Sequence, residues 1–484
     1  MTTTNNNRKI LDLKRWEVCG PASVGRHLSS AVNIRHIKQW VFAFGNSTPI
    51  NYLFCYDVAE DSWLPVGSMG VANGVERANS ITYSAWSTGS TLGVSFLTAT
   101  AGTTSTITTN QTIVRDLRGW KIHIMSGPNA GATLTISSNT TGANSVITVP
   151  TQASAFSAST TYRLLTPRVY MFGGNSVVSG NFRVYDFATN TFQSISVTSG
   201  PGSVITYYQS AWVSTPSWRD SDYQSFATGT ATSATLTTIV NTAKTWTTNQ
   251  WNNYQIRIVS GTGAGQIRSI SSNTADTITV SAAWTTTPDN TSSYSIEGND
   301  DYLYFFQTNS QNLYRYSISG NSWTLVSSTR PTPMYSNCSA VWVNASTDSS
   351  WTSENDIQNG RYIFSFTGSG ATPVILYNIA ANTWTTTALT PGEDFGSTTG
   401  GCSTYGGGDY IYMVPTATSN RVLRYNVVTK DMEPFTGLPF SGATIGTSGG
   451  NYAWVGRYVD GATAIDYFYT APSQTYQLQR MMVI

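Results

Sequence analysis

The residues able to do chemistry are few in this chain and poorly spaced for it. Its 484 residues include three histidines, His27, His36 and His123, and four cysteines, Cys19, Cys55, Cys338 and Cys402. A zinc site draws thiolates and imidazoles from close pairs, and a copper site needs imidazoles converging with a thiolate or phenolate. Here the cysteines stand singly, and His123 lies far along the chain from the other two histidines. The cysteines therefore read as small buried strand residues. Carboxylates occur in local groups: Glu297 with Asp300 and Asp301, Glu354 with Asp356, and Glu393 with Asp394. A facing pair could hydrolyse a glycosidic bond. These groups sit in polar stretches where acidic residues serve solvated turns, and no nucleophile, base and orienter come together beside them. Residues 260–265, Ser-Gly-Thr-Gly-Ala-Gly, carry the glycines of a phosphate loop but lack the following helix and lysine, so a hairpin turn is expected instead. Aromatic rings offer one further chemistry, stacking on sugars. Trp212, Trp218 and Tyr223 bracket one polar loop, and Trp342 and Trp351 flank another. The expectation is no catalytic, cofactor or metal site, with Trp212, Trp218 and Tyr223 as the candidate glycan contact.

The elements holding these residues are strands. Only 11% of residues are charged, against about 25% in an ordinary soluble domain, and 12% are aromatic. Ser, Thr, Asn and Gly fill the remainder, a mixture that favours strands and turns. Net charge is +1, with acids and bases evenly spread, so no basic stripe for nucleic-acid backbone binding is visible. No apolar run approaches the roughly 20 residues that span a bilayer. The opening MTTTNNNRK has no apolar core, so no secretory signal peptide is expected.

One interval organises the strands: an aromatic seven residues after a tyrosine. The pairs are Tyr56/Trp63, Tyr185/Phe192, Tyr316/Trp323 and Tyr377/Trp384, with Tyr425/Met432 a degraded copy and Tyr469/Tyr476 a weaker one. Spacings of 61 and 48 residues from Tyr316 to Tyr377 to Tyr425 give a unit of about 50 residues, the period of an array. The unit is four short antiparallel strands. Six units are expected, the last built from residues 443–447, 452–458, 463–469 and 476–482, with the segment around Trp16 closing the ring. Two units are interrupted after their first strand, and the interruptions are copies of each other. Residues 120–140, WKIHIMSGPNAGATLTISSNT, align without a gap on residues 254–274, YQIRIVSGTGAGQIRSISSNT.

The units resemble kelch repeats in Gly173-Gly174, in Tyr56-Asp57 and Tyr185-Asp186, and in Trp63, Trp323 and Trp384. The resemblance implies an all-β, six-bladed kelch-like β-propeller with two small inserted all-β domains. Its divisions are 1–90 propeller, 91–166 first inserted domain, 167–226 propeller, 227–298 second inserted domain and 299–484 propeller, with the inserted domains side by side on one face. The inserted motif is similar to short β domains of tailed-bacteriophage virion proteins, and the whole resembles tail nozzle or hub proteins. That resemblance implies a non-catalytic structural protein of the virion, made in the host cytoplasm. Its implied partners are portal, adaptor, tail-fibre or tail-tip proteins and further copies of itself in a ring. A receptor- or glycan-binding propeller is the alternative expectation, and a polysaccharide-processing enzyme a third.

Overall fold

The computed structural model describes residues 97–172, 182–195, 225–299, 301–318 and 320–335. Outside these it describes 16–18, 26–34, 38–45, 52–57, 62–68, 79–84, 199–201, 211–214, 338–343, 360–367, 374–387, 402–405, 409–414, 421–437, 454–460, 463–470 and 479–483. Among these residues all regular structure is β. Six sheets have four antiparallel strands each. The first three comprise Arg26–Ile34, Lys38–Gly45, Tyr52–Asp57 and Ser62–Ser68; Asn79–Ser84, Pro167–Phe172, Phe182–Asp186 and Thr191–Ser194; and Ala211–Ser214, Tyr302–Phe306, Leu313–Ser317 and Ser322–Ser327. The fourth and fifth comprise Ser339–Trp342, Tyr362–Phe366, Val374–Asn378 and Thr383–Thr387, then Cys402–Tyr405, Tyr410–Val414, Arg421–Asn426 and Met432–Gly437. The sixth takes Trp454–Asp460, Thr463–Thr470 and Gln479–Val483 from the end of the chain and Trp16–Val18 from its start, with Trp16 opposite Met481. Residues 443–447, expected in this unit, lie outside the described residues. The first strand of each sheet touches the first strand of the next, and that of the sixth touches that of the first. The arrangement is propeller-like.

The seven-residue interval is a hairpin. Tyr56 lies opposite Trp63, Tyr185 opposite Phe192, Tyr316 opposite Trp323, Tyr377 opposite Trp384 and Tyr425 opposite Met432, each between the third and fourth strands of its sheet. The four aromatic pairs have ring centroids 5.2, 4.8, 5.2 and 4.9 Å apart. Such pairs add about 0.5–1.5 kcal/mol each beyond the burial of their area. The residue after the tyrosine caps the turn. Asp186 accepts from the amide of Thr189, Ser317 from Gly320, Asn378 from Ala380 and Ala381, and Asn426 from Val428 and Thr429. Five residues after the tyrosine the backbone turns through positive φ at Asn190 (54°), Asn321 (43°) and Asn382 (54°). Asparagine tolerates that region, and here its side chain does a second job. Asn190, Asn321 and Asn382 each accept the tyrosine hydroxyl, at 2.9, 2.9 and 3.1 Å.

Between Asn79–Ser84 and its partner Pro167–Phe172, and again between Ala211–Ser214 and Tyr302–Phe306, the chain makes a separate curled sheet. The first uses Leu97–Gly102, Thr106–Thr109, Lys121–Ile124, Thr133–Thr135, Ser138–Asn139, Val146–Thr148 and Thr161–Leu165. The second uses Ala227–Thr230, Ser233–Ala234, Thr238–Val240, Gln255–Ser260, Ile267–Asn273, Thr277–Val280 and Ser293–Glu297. The two strand orders differ only in where a bent strand is divided. In the first sheet the two end segments, Thr133–Thr135 and Ser138–Asn139, are halves of one strand, and in the second Ala227–Thr230 and Ser233–Ala234 are. Each sheet therefore closes on itself as the same six-stranded barrel, a closure that removes free sheet edges.

The motifs the two copies share are barrel-building parts. In I-x-I, Ile122 and Ile124, like Ile256 and Ile258, are fully buried in their barrel cores. In I-S-S-N-T, Asn139 accepts from the amide of Leu117 and donates to the carbonyls of Arg115 and Thr140. Asn273 repeats this with the amide of Trp251 and the carbonyls of Thr247 and Thr274. The glycine-rich run is the turn between Gln255–Ser260 and Ile267–Asn273, with Gly261, Gly263 and Gly265 at φ 79°, 81° and 88°. A strand follows it, so no helix N-terminus meets an anion there.

Candidate functional site

The best-defined polar constellation among the described residues lies where the two barrels meet. In a strand, residues flanked by core-facing isoleucines point the other way. His123, between Ile122 and Ile124, and Arg257, between Ile256 and Ile258, thus leave their own barrel interiors. They meet each other, with Arg257 Nη1 3.4 Å from His123 Nε2. Both are buried, at 1% exposure. Arginine offers donors only, so this contact needs an unprotonated Nε2. Nδ1 then carries the hydrogen and donates to Thr133 Oγ1 at 2.8 Å. Burial foremost, then the positive charges of Arg257 and Arg163, hold the His123 pKa well below its ordinary value.

Arg257 also grips Glu297 in a two-pronged pair, Nη2 to Oε2 at 2.8 Å and Nε to Oε1 at 3.0 Å. Both side chains are cut off from solvent. Arg163 lies directly across from His123 on the neighbouring strand. Arg268 of the second barrel is near enough that the charge of Arg163, after burial, pulls its pKa down.

Backbones approach closely beside this cluster. A Cβ built on Gly265 would lie 2.7 Å from the Gly131 nitrogen, 3.0 Å from the Met125 carbonyl oxygen and 3.1 Å from that of Ile124. One built on Gly131 would lie 3.7 Å from the Gly265 nitrogen and 3.9 Å from the Val259 carbonyl oxygen. Gly131 and Gly265 are equivalent in the two copies, as are His123 and Arg257, each pair 134 residues apart. The same hairpin of each barrel thus faces its counterpart.

Each barrel is also fixed to a four-stranded sheet. In the first, Val114 donates from its amide to the Ala188 carbonyl at 3.1 Å. Arg115 donates to the Tyr185 hydroxyl and to Asn190 Oδ1 at 3.1 and 3.0 Å, and its guanidinium lies 4.7 Å from the Phe187 ring centre. The seat is the tyrosine–asparagine turn of the second sheet. The second barrel sits on the fourth sheet: the Tyr254 hydroxyl donates to the Gly360 carbonyl at 2.8 Å and Asn253 Nδ2 to that of Ile379 at 3.0 Å. Met125 and Ile267, one from each barrel, share a buried cluster with Tyr170 and Phe182 of the second sheet and Leu303 and Phe305 of the third. The two barrels form an arch: feet on the second and fourth sheets, joined above the seam of the second and third.

The residues singled out from sequence fare variously. Glu297 is not a solvated turn residue; it ends a barrel strand, fully buried and paired with Arg257. Trp342 is 6% exposed and gives its indole N–H to the Gly360 carbonyl at 2.8 Å, so its ring packs against Phe226 and is not open to a sugar. Trp212 lies on Ala211–Ser214 opposite Phe305. Trp218, Tyr223, Trp351, Asp300, Glu354, Asp356, Glu393 and Asp394 lie outside the described residues. Cys338 is buried beside the first strand of the fourth sheet. Among the described residues no cluster of three His, Cys, Asp or Glu could hold a metal ion, and no helix is long and apolar enough to cross a membrane. Sequence reading passed over the junction itself, although the gap-free alignment of the copies already set His123 against Arg257 and Gly131 against Gly265.

No protein-family model matches the chain, and no curated protein matches it in sequence. Solved structures do resemble it in shape. A catalytically inactive virginiamycin B lyase from Staphylococcus aureus, crystallised with quinupristin, is 8% identical, with a TM-score of 0.36 over 97% of this chain and 99% of that one. A chain of the mitotic checkpoint complex is also 8% identical, with a TM-score of 0.37 over 97% of this chain and 92% of that one. Likenesses this distant carry neither activity nor partner across.

Proposed function

We propose that the chain is a non-catalytic structural subunit of a tailed-bacteriophage particle, of the tail or neck (nozzle or hub) class. In this reading the six four-stranded sheets are the blades of a closed kelch-like propeller and the two barrels are domains inserted in its second and third blades. The barrels make contacts between subunits arranged as a ring, and the other partners are the portal, adaptor or tail-tip proteins on either side.

The observation that carries the reading is the arch. Two copies of one small β unit are locked to each other and to two different sheets, so each subunit presents a rigid doublet of equivalent surfaces, a form suited to repeated lateral contact. The resemblance of the barrel motif to small virion β domains supports the same station.

The test uses purified particles of the phage that carries the chain. Quantitative mass spectrometry should find it at a fixed copy number per particle. Antibody fragments raised against residues 91–166 should bind the free chain and be excluded from assembled particles. Absence from the particle sinks the reading, and equal antibody access in both states removes the barrels from the contact surface.

A further inference from the structure

We propose that the joint between the barrels is an acid-sensitive latch: when His123 takes a proton on Nε2, it can no longer accept from Arg257, and the two hairpins part. The geometry forces the coupling. The Arg257 guanidinium has no lone pair to offer, so the 3.4 Å contact exists only while Nε2 is bare. The other ring nitrogen is engaged by Thr133, so the ring cannot simply turn over to present a second acceptor without losing that bond.

The charges facing His123 all bear on the outcome. On its own strand Lys121 lies two residues away, on the same side. From the adjoining strand comes Arg163, its direct register partner. The second barrel contributes Arg257, Arg268, which lies near enough to Arg163 to feel its charge, and Glu297, whose carboxylate is already taken up by Arg257. A proton on His123 therefore joins these cations, with the Glu297 carboxylate already committed to Arg257, in a site away from water.

The sign follows from linkage. In the closed joint His123 is held well below 6.5, and in an opened, hydrated joint it returns to about that value. The open form therefore binds the proton better. The latch is at full strength above pH 6.5 and weakens as pH falls below it, toward the closed-state value. At pH 5 the open-to-closed ratio is raised by up to about 30-fold over that at pH 8.

The test is hydroxyl-radical footprinting of the full chain at pH 8 and pH 5. The reporter is Met125, 6% exposed in the joint, and the internal reference is Met334, fully buried between the third and fourth sheets. Oxidation of Met125 should rise by up to about 30-fold at pH 5 while Met334 stays protected. His123→Gln keeps an acceptor for Arg257 and a donor for Thr133 but does not titrate, so it should hold Met125 protected at both values. His123→Arg carries a permanent charge and should leave Met125 reactive at both. A Met125 rate that changes less than twofold in the natural chain overturns the latch. So does an equal rise in His123→Gln, or a parallel rise at Met334, which would mean general loosening. The latch depends on the joint alone, so its failure leaves the assembly reading untouched.

Discussion

Replacing Gly265 by alanine probes the closest approach of the barrels, and the structure supplies its own control. Gly265 has φ +88°, and its new Cβ would meet the Gly131 nitrogen at 2.7 Å and the Met125 carbonyl oxygen at 3.0 Å. The first cost is backbone strain at positive φ, about 1–2 kcal/mol for a residue with a Cβ. The second is overpacking against backbone atoms that cannot rotate aside, typically about 1–3 kcal/mol. Gly142, in the first barrel, has φ +109° with nothing within 4 Å of an added Cβ. Gly142→Ala therefore carries the first cost alone. Urea unfolding followed by tryptophan fluorescence should place Gly265→Ala below Gly142→Ala by about 1–3 kcal/mol, the overpacking share. In Gly265→Ala, Met125 should also become accessible at neutral pH. If the two variants lose the same stability, the barrels do not bear on each other at Gly265 and the arch is wrongly drawn.

Two further variants test other links. Arg257→Met strands the Glu297 carboxylate in a dry site and should cost about 3–5 kcal/mol, whereas the double change Arg257→Met with Glu297→Leu should recover most of that, both read by the same denaturation assay. Asn273→Ala removes the acceptor for the Trp251 amide and should destabilise the second barrel by about 1–3 kcal/mol, seen as faster hydrogen exchange over 247–274 with exchange over the fifth sheet unchanged.

What could be read from the sequence was whatever repeats at a fixed interval. The eight residues from Tyr316 to Trp323 are two register partners and the turn between them, so the seven-residue interval is hairpin geometry written in residue numbers. The asparagine at the fifth place is equally regular in three units, but from sequence it reads as turn chemistry alone; that it also holds the hydroxyl of its own hairpin's tyrosine shows only in three dimensions. The buried pair was hidden for a different reason. Glu297 stands close in sequence to Asp300 and Asp301 and looks like part of an acidic loop, while the arginine that neutralises it is 40 residues away. Nothing local announces such a partner. His123 and Arg257 were likewise aligned as equivalents, yet two polar residues in matching strand positions suggest two solvated faces until the strands are brought together in space.

The pairing of Trp16–Val18 with Gln479–Val483 has a consequence for how the chain is made. At roughly 5–20 residues per second, a ribosome needs on the order of half a minute or more to travel between these two strands. The barrels are finished long before, since their strands lie close together in the chain and neither waits for a distant partner. Trp16–Val18, by contrast, must remain unmated until Gln479–Val483 has been made. Folding should therefore proceed from two early local nuclei to the late pairing of these two strands, with Trp16–Val18 a bare strand until then. Chaperone demand during expression should concentrate there, and a variant that nucleates faster in the barrels would not shorten the wait.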